Sequence, residues 1–185
     1  MTEPALVIRP VGPKSFADRA ALFEARGGPE LCWCMVWRAK PRAATEEPHV
    51  ARKAARKAAM QALVGRGVPV GLLACRGAVP VGWCAVGPRE SLRSIGGPPA
   101  EPGTVWTITC FFVPPALRGQ GISAALLQAA ITHARDQGAH VIEASPVDPT
   151  SPSFQFMGFV PQFLAAGFTK ADMAGTRRHV MCLTL

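Results

Sequence analysis

The sequence contains no tyrosine and few acidic residues, and both shortages restrict the chemistry it can perform. Because there is no phenol anywhere in the 185 residues, any mechanism that needs a tyrosine acid is excluded. The chain has 20 Lys and Arg against 12 Asp and Glu, which gives a formal net charge of +8. A basic surplus of this size favours anionic partners, either a phosphorylated cofactor or a nucleic acid.

The chain also lacks long apolar runs, because none approaches the roughly 18 residues that a membrane span needs. Its first ten residues include Glu3, Pro4 and Arg9 and do not form a signal peptide. We therefore expect a cytoplasmic protein with no membrane partner, and reduced thiols for its six cysteines. Cys32 and Cys34 form a C-x-C pair without the further ligands of a structural zinc site, so no metal is expected.

Hydrophobic residues make up 49% of the sequence, enough for the core of one domain over residues 1–185. Periodicity and turn residues predict a short helix before Gly167, helices near 15–26, 45–64 and 122–137, and strands near 6–9, 71–75, 79–86, 105–113, 140–147, 168 onward and 179–185. This order of elements predicts an α/β (α+β) domain with a mixed sheet.

The most informative segment is the turn Arg118-Gly-Gln-Gly121, which lies between the apolar strand at 105–113 and a long helix. A glycine-rich turn that opens a helix leaves backbone N–H groups unpaired and directed at one point, where they suit a phosphate. Neither nucleotide fingerprint fits here, neither G-x-x-x-x-G-K-[ST] nor G-x-G-x-x-G. A tight strand-to-helix turn is the simpler alternative interpretation of the two glycines.

Together with its surroundings, this turn resembles motif A of the GNAT superfamily of acyl-CoA-dependent N-acetyltransferases. The pattern [QR]-x-x-G-x-[GA] is matched by Arg118 and Gly121, with Ser123 in place of the usual Gly or Ala, and Val113 and Pro115 supply the lead-in. The later Phe163-Leu-Ala-Ala-Gly-Phe168 resembles motif B, usually Tyr-x-x-x-Gly-Phe. The resemblance covers nearly the whole chain and implies a GNAT fold of six to seven strands with helices on both faces.

The resemblance implies acetyl-CoA as the cofactor and a set of residues that bind it. The backbone of Phe111, Phe112 and Val113 would pair with the pantetheine amides as an added strand does. The pyrophosphate would lie over Arg118, Gly119, Gln120, Gly121, Ile122, Ser123 and Ala124. The N–H of Phe111 is the candidate that stabilises the carbonyl oxygen as it becomes an oxyanion.

The proton path is where the sequence departs from the family pattern. Thr107 stands where some members carry a glutamate on this strand, and Phe163 replaces the motif B tyrosine. Glu143 lies within an apolar strand, and a buried carboxylate can act as a base, so it is the predicted catalytic base. A salt bridge or a solvated face is the alternative interpretation of Glu143.

For the acceptor we predict a primary amine of a small molecule, bound by Trp33, Trp83, Glu90 and Asp148. The chain is also similar in general character to aminoglycoside acetyltransferases of the kasugamycin 2'-N-acetyltransferase type. A protein acetyltransferase and a non-catalytic acyl-CoA sensor stay open as alternatives. The basic stripe at residues 52–57 is interpreted as a solvated face, so nucleic acid is not the expected partner, and a homodimer is left open.

Overall fold

A computed structural model of the chain describes residues 4–38, 49–93 and 95–185. Within these ranges the chain forms seven strands and four α-helices. The strands are β1 (Leu6–Pro10), β2 (Leu72–Arg76), β3 (Val79–Pro88), β4 (Val105–Phe112), β5 (Val141–Ala144), β6 (Thr169–Ala174) and β7 (Arg178–Thr184). The helices are α1 (Phe16–Glu24), α2 (His49–Gly65), α3 (Ile122–Asp136) and α4 (Val160–Ala165). The predicted α/β class is confirmed.

All seven strands form one sheet in the order β1-β2-β3-β4-β5-β7-β6. Neighbouring strands are antiparallel, except that β4 and β5 are parallel and are joined by α3 as a crossover helix. Each face of the sheet has its own apolar core. Helices α3 and α4 pack on one face, and α1, α2 and the segment around Trp33 pack on the other. The prediction of helices on both faces is therefore confirmed.

Some element boundaries differ from the predicted ones for local reasons. Strand β5 ends at Ala144 rather than near 147, since Pro146 has no N–H to donate to a ladder. Helix α1 begins after Ser15, whose side chain makes no capping hydrogen bond, and Asp18 of its first turn forms an ion pair with Arg9. The expected start of the second helix, residues 45–48, lies outside the described residues. No helix in the described ranges has the length and apolarity needed to cross a membrane.

A β-bulge in β4 changes which face its side chains occupy. Ala85 pairs with Cys110 and Val86 pairs with Ile108, so Thr109 is an extra residue without a partner on β3. Before the bulge, Ile108 points to the core of α3; after it, Phe111 takes that side. The extra residue therefore directs Phe111 toward the elements that bear the glycine turn.

Gly71 provides a test of the packing between the start of β2 and β3. Its φ of +146° suits glycine, and a Cβ there would lie 2.2 Å from the Cys84 carbonyl oxygen and 2.7 Å from the Trp83 ring. We expect Gly71→Ala to lower the free energy of unfolding by about 2–4 kcal/mol, measured by urea denaturation. Gly65→Ala, at the end of α2 where a Cβ meets nothing within 4 Å, is the control and should be neutral or slightly stabilising. Equal effects of the two variants would contradict this account of the packing.

Candidate active site

Strands β4 and β5 separate before β4 ends, and this separation creates the site. Their parallel pairing covers four residue pairs and stops at Ile108 and Ala144. Beyond that point the chain follows β7 instead, because the His179 N–H donates to the Pro146 carbonyl at 2.9 Å and Val147 bridges to Arg178. Within the described chain, the last four residues of β4 therefore have a strand neighbour only on the β3 side. The predicted opening of this strand is present.

A groove of about 560 Å³ lies beside the separated end of β4 and the start of α3. Nine of the ten residues predicted to bind the cofactor line it: Phe111, Phe112, Val113, Arg118, Gly119, Gly121, Ile122, Ser123 and Ala124. The tenth, Gln120, is directed elsewhere and accepts a hydrogen bond from Arg76 Nη1 at 2.8 Å. One continuous surface thus joins the predicted pantetheine strand to the predicted phosphate turn.

The backbone at the start of α3 has the form of an anion site. Gly119 and Gly121 both have φ of +77°, and a Cβ at either position would meet nothing within 4 Å. The first intrahelical hydrogen bond runs from the Ala125 N–H to the Gly121 carbonyl at 3.0 Å. The three N–H groups of residues 122–124 consequently have no backbone partner in the described chain. Together with the positive end of the helix dipole, they fit the pyrophosphate of a CoA cofactor.

Two polar side chains of the turn have partners that the sequence did not indicate. Arg118 Nε donates to the Val113 carbonyl at 3.2 Å and so closes the loop between β4 and α3. The Ser123 hydroxyl accepts a hydrogen bond from Gln162 Nε2 at 3.1 Å, which ties α3 to α4. Sequence analysis missed Gln162 and the other lining residues Leu117, Gln155, Phe156 and Phe159, since no spacing rule marks them.

The motif B position holds a packing residue. Phe163 is completely buried and meets Phe111 edge-on, with the ring centroids 6.2 Å apart. It also packs edge-on against Phe168 at 5.1 Å. The Phe163 ring therefore packs against the Phe111 ring. A phenylalanine has no ionisable proton to donate in catalysis.

Glu143 is held in an ion pair. Arg89 donates to both of its oxygens, and Arg89 Nε lies 2.8 Å from Oε1. The Thr107 hydroxyl donates to the same Oε1 at 2.7 Å, and the carboxylate is only 2% exposed. Both oxygens of the carboxylate are therefore occupied by hydrogen-bond donors. The geometry thus matches the salt-bridge interpretation and does not support Glu143 as the base.

The predicted acceptor residues do not meet in one pocket. Trp33 and Trp83 are completely buried, and their rings enclose the Arg19 guanidinium at 5.3 and 4.4 Å. They therefore occupy core positions instead of walling an open cleft. Asp148 is paired with His179 Nε2 at 3.0 Å, and Glu90 is exposed in the turn after β3.

Cys32 and Cys34 of the C-x-C pair are free thiols, and so are the other four cysteines. Cys34 Sγ accepts a hydrogen bond from Trp83 Nε1 at 3.2 Å. Interaction with the Cys110 side chain, together with burial, raises the pKa of Cys34 to about 12. In the part of the chain that the structure describes, no three His, Cys, Asp or Glu side chains come together as a metal site.

A protein-family model matches more than half of the chain. Residues 32–159 match the model of the Acetyltransferase (GNAT) family. The chain belongs to the GNAT acetyltransferase family. It is therefore an acyltransferase whose cofactor is acetyl-CoA, as the two sequence motifs implied. A comparison with curated protein sequences gives no significant match.

Solved structures share the fold of this chain. The acetyltransferase resembles yncA of Salmonella typhimurium, solved with acetyl-CoA, at 20% identity and a TM-score of 0.56 over 98% of this chain and 94% of that one. It also resembles paia of Thermoplasma acidophilum, in complex with coenzyme A, at 14% identity and a TM-score of 0.59 over 98% and 99%. A ribosomal-protein-alanine N-acetyltransferase of Brucella melitensis shares 19% identity, a TM-score of 0.57 and coverages of 97% and 99%. At these identities the likeness concerns the fold.

Gly121→Val tests the placement of the pyrophosphate. The valine side chain would stand in the anion site, so we expect the Kd for CoA to rise about tenfold or more, measured by titration calorimetry. Gly138→Val is the matched control, because Gly138 follows the other end of α3 with φ of +81° and equally open space. Both variants carry the same backbone strain, but only the first should lose affinity. Equal affinities in the two variants would contradict the placement.

Glu143→Gln separates the ion-pair role from the base role. Removing one partner of a buried pair should lower the free energy of unfolding by about 1–3 kcal/mol, with Thr107→Val as a milder control. We expect kcat/KM to change less than about tenfold and equally at all pH values. A fall of ~10²–10⁴ at neutral pH that shrinks at high pH would instead identify Glu143 as the base.

Proposed function

We propose that this acetyltransferase moves the acetyl group of acetyl-CoA to a primary amine of a small molecule. The observation that carries the proposal is the groove that runs from the unpaired edge of β4 to the N-terminus of α3. An edge strand can pair with the amides of a linear ligand, and the helix start can hold its phosphates. Bound there, acetyl-CoA supplies an acetyl group activated as a thioester.

The residues of β4 would orient the reacting group. Phe111 is nine-tenths buried and is backed by Phe163, so its backbone is held in place. We assign the Phe111 N–H to the developing oxyanion, where a preorganised donor lowers the barrier most. The side chains of Phe156 and Phe159 line the same groove.

The amine must lose a proton before or during attack, and neither the motif B position nor Glu143 offers a free side-chain base for this step. Phe163 does not titrate, and the Glu143 carboxylate is engaged by Arg89 and Thr107. We therefore assign the amine proton to ordered water, which passes it to bulk solvent. The thiolate of CoA, with an ordinary thiol pKa of ~8.5, then leaves without a general acid. On this account kcat/KM rises with pH until the acceptor amine is neutral.

An aminoglycoside such as kasugamycin is less well supported as the acceptor. A polycation needs carboxylates at the acceptor site, and the candidates were Glu143, Asp148 and Glu90. The first is paired with Arg89 and the second with His179, while the third is an isolated surface residue. The proposal therefore keeps a small amine as the acceptor and does not keep the antibiotic.

The experiment is a thiol-release assay with acetyl-CoA over a panel of small primary amines, aminoglycosides and peptides with free N-termini or lysines. Turnover of small amines, with acetylation confirmed by mass spectrometry, is expected, and peptides should be inactive. Turnover of peptides alone would instead support a protein acetyltransferase. CoA binding without turnover on any amine would overturn the proposal.

A further inference from the structure

The structure contains buried hydrogen-bond donors that lack acceptors. Among residues 4–38, 49–93 and 95–185, every buried side-chain polar atom without a hydrogen-bond partner is an N–H group of arginine or tryptophan. These are Arg19 Nε and Nη1, Trp33 Nε1, Trp37 Nε1, Arg52 Nε and Arg178 Nη1. A buried donor without a partner is costly, so such a set calls for an acceptor that the described chain does not supply.

Two of these donors lie together at the separated end of β4 and β5. The Arg178 guanidinium stacks on the Trp37 ring at 5.0 Å and on the Phe154 ring at 5.3 Å. No hydrogen bond or salt bridge of its side chain is present in the described chain, and desolvation lowers its pKa. The two rings thus contact the guanidinium and leave its Nη1 without an acceptor, and a guanidinium can bind a carboxylate with two hydrogen bonds.

This pair is adjacent to the cofactor groove. Val147 bridges Arg178 on one side and Phe159, a groove residue, on the other, so Arg178 and Phe159 lie two strand spacings apart, about 10 Å. Phe154 also contacts Phe156 of the groove, with ring centroids 6.2 Å apart. Phe154 has φ of +62°, a strained value for a residue with a side chain, and such strain is concentrated at functional sites.

The neighbouring acidic residues are already engaged. Asp148 pairs with His179, and Glu143 pairs with Arg89. Arg177, the neighbour of Arg178 in sequence, has a side-chain partner, because it donates to the Ser153 hydroxyl at 3.1 Å. The ligand of Arg178 must therefore bring its own negative charge.

Arg19 is a weaker candidate for ligand binding, although it has two donors without partners. Its side chain is completely buried between the rings of Phe23, Trp33 and Trp83, and burial lowers its pKa to about 10. A ligand could reach it only if this core opened. The Arg178 side chain is only half-buried, although its Nη1 and Trp37 Nε1 are buried atoms.

We propose that Arg178 and the indole N–H of Trp37 bind a carboxylate of the acceptor, so that the amine substrate of this acetyltransferase is an amino acid or another amino carboxylic acid. The inference rests on the proposed function and adds the class of acceptor. It also fits a basic chain in which Glu143 and Asp148 are already paired with Arg89 and His179. The two residues set specificity, and the acetyl transfer itself stays with β4 and the α3 turn.

The test compares acceptors that differ only in this charge. Wild-type protein is assayed with α-amino acids and with ω-amino carboxylic acids of increasing length, each beside its own carboxamide. We expect kcat/KM for the acids to exceed that for the carboxamides by about 10- to 100-fold, mainly through KM. The best chain length then reports the distance from Arg178 to the acetyl group.

Three variants locate the effect. Arg178→Met keeps a chain that packs between the rings and should remove the preference for the acid, without changing the Kd for CoA or the kcat for the carboxamide. Trp37→Phe should reduce the preference in part, because it removes only the N–H. Arg177→Met is the matched control and should keep the full preference, and thermal melts verify that all three variants fold.

The outcomes separate this inference from the function on which it rests. Equal turnover of acids and carboxamides, or an acid preference that survives in Arg178→Met, would overturn the carboxylate site while the acetyltransferase function stands. No turnover of any amine, charged or neutral, would overturn the proposed function itself. If Arg178→Met does not fold, Arg178→Lys takes its place, and an unchanged acid preference in that variant and in Trp37→Phe would count against the site.

Discussion

The early end of the pairing between β4 and β5 is the constraint on which the site depends. After four residue pairs, β4 is shifted by the bulge at Thr109, and β5 is stopped by Pro146. The chain beyond Pro146 then hydrogen-bonds to β7, so it cannot return to β4. The result is one unpaired strand edge directed at the positive end of α3, and a linear anionic cofactor needs both of these features.

Charge is distributed in a way that distinguishes the two ends of the groove. Backbone N–H groups of residues 122–124 provide positive potential at the phosphate end without any side chain being required. At the other end, the acidic side chains Glu143 and Asp148 are used up by Arg89 and His179. Among the residues that the structure describes, the Arg178 guanidinium has aromatic contacts and no ion pair. This imbalance is what points to an acceptor that carries a negative group.

Local patterns predicted a set of cofactor residues that the structure brings into one groove, because these residues lie close together in sequence. A turn with two glycines before a helix has few possible geometries, and nine of the ten predicted residues line one groove. Glu143 shows the limit of the same reasoning. Its position in an apolar strand predicted burial correctly, but its role depends on Arg89, which is 54 residues away in sequence. Trp33 and Trp83 could be assigned to the core only from the structure, in which their rings pack around Arg19.

The sequence alone determined the family, the cofactor and the order of strands and helices, since motif spacing, turn residues and apolar periodicity act over short stretches of chain. It also excluded a tyrosine acid. Only the tertiary structure decided which charges are neutralised and which stay available. Ion pairs and ring contacts join residues from distant elements, as Arg178 of β7 meets Trp37 and Phe154, and no local pattern encodes such a meeting. The charge pairing around the proposed acceptor site therefore depends on packing across the sheet, because the partners of a buried charge are set by the fold and not by its neighbours in sequence.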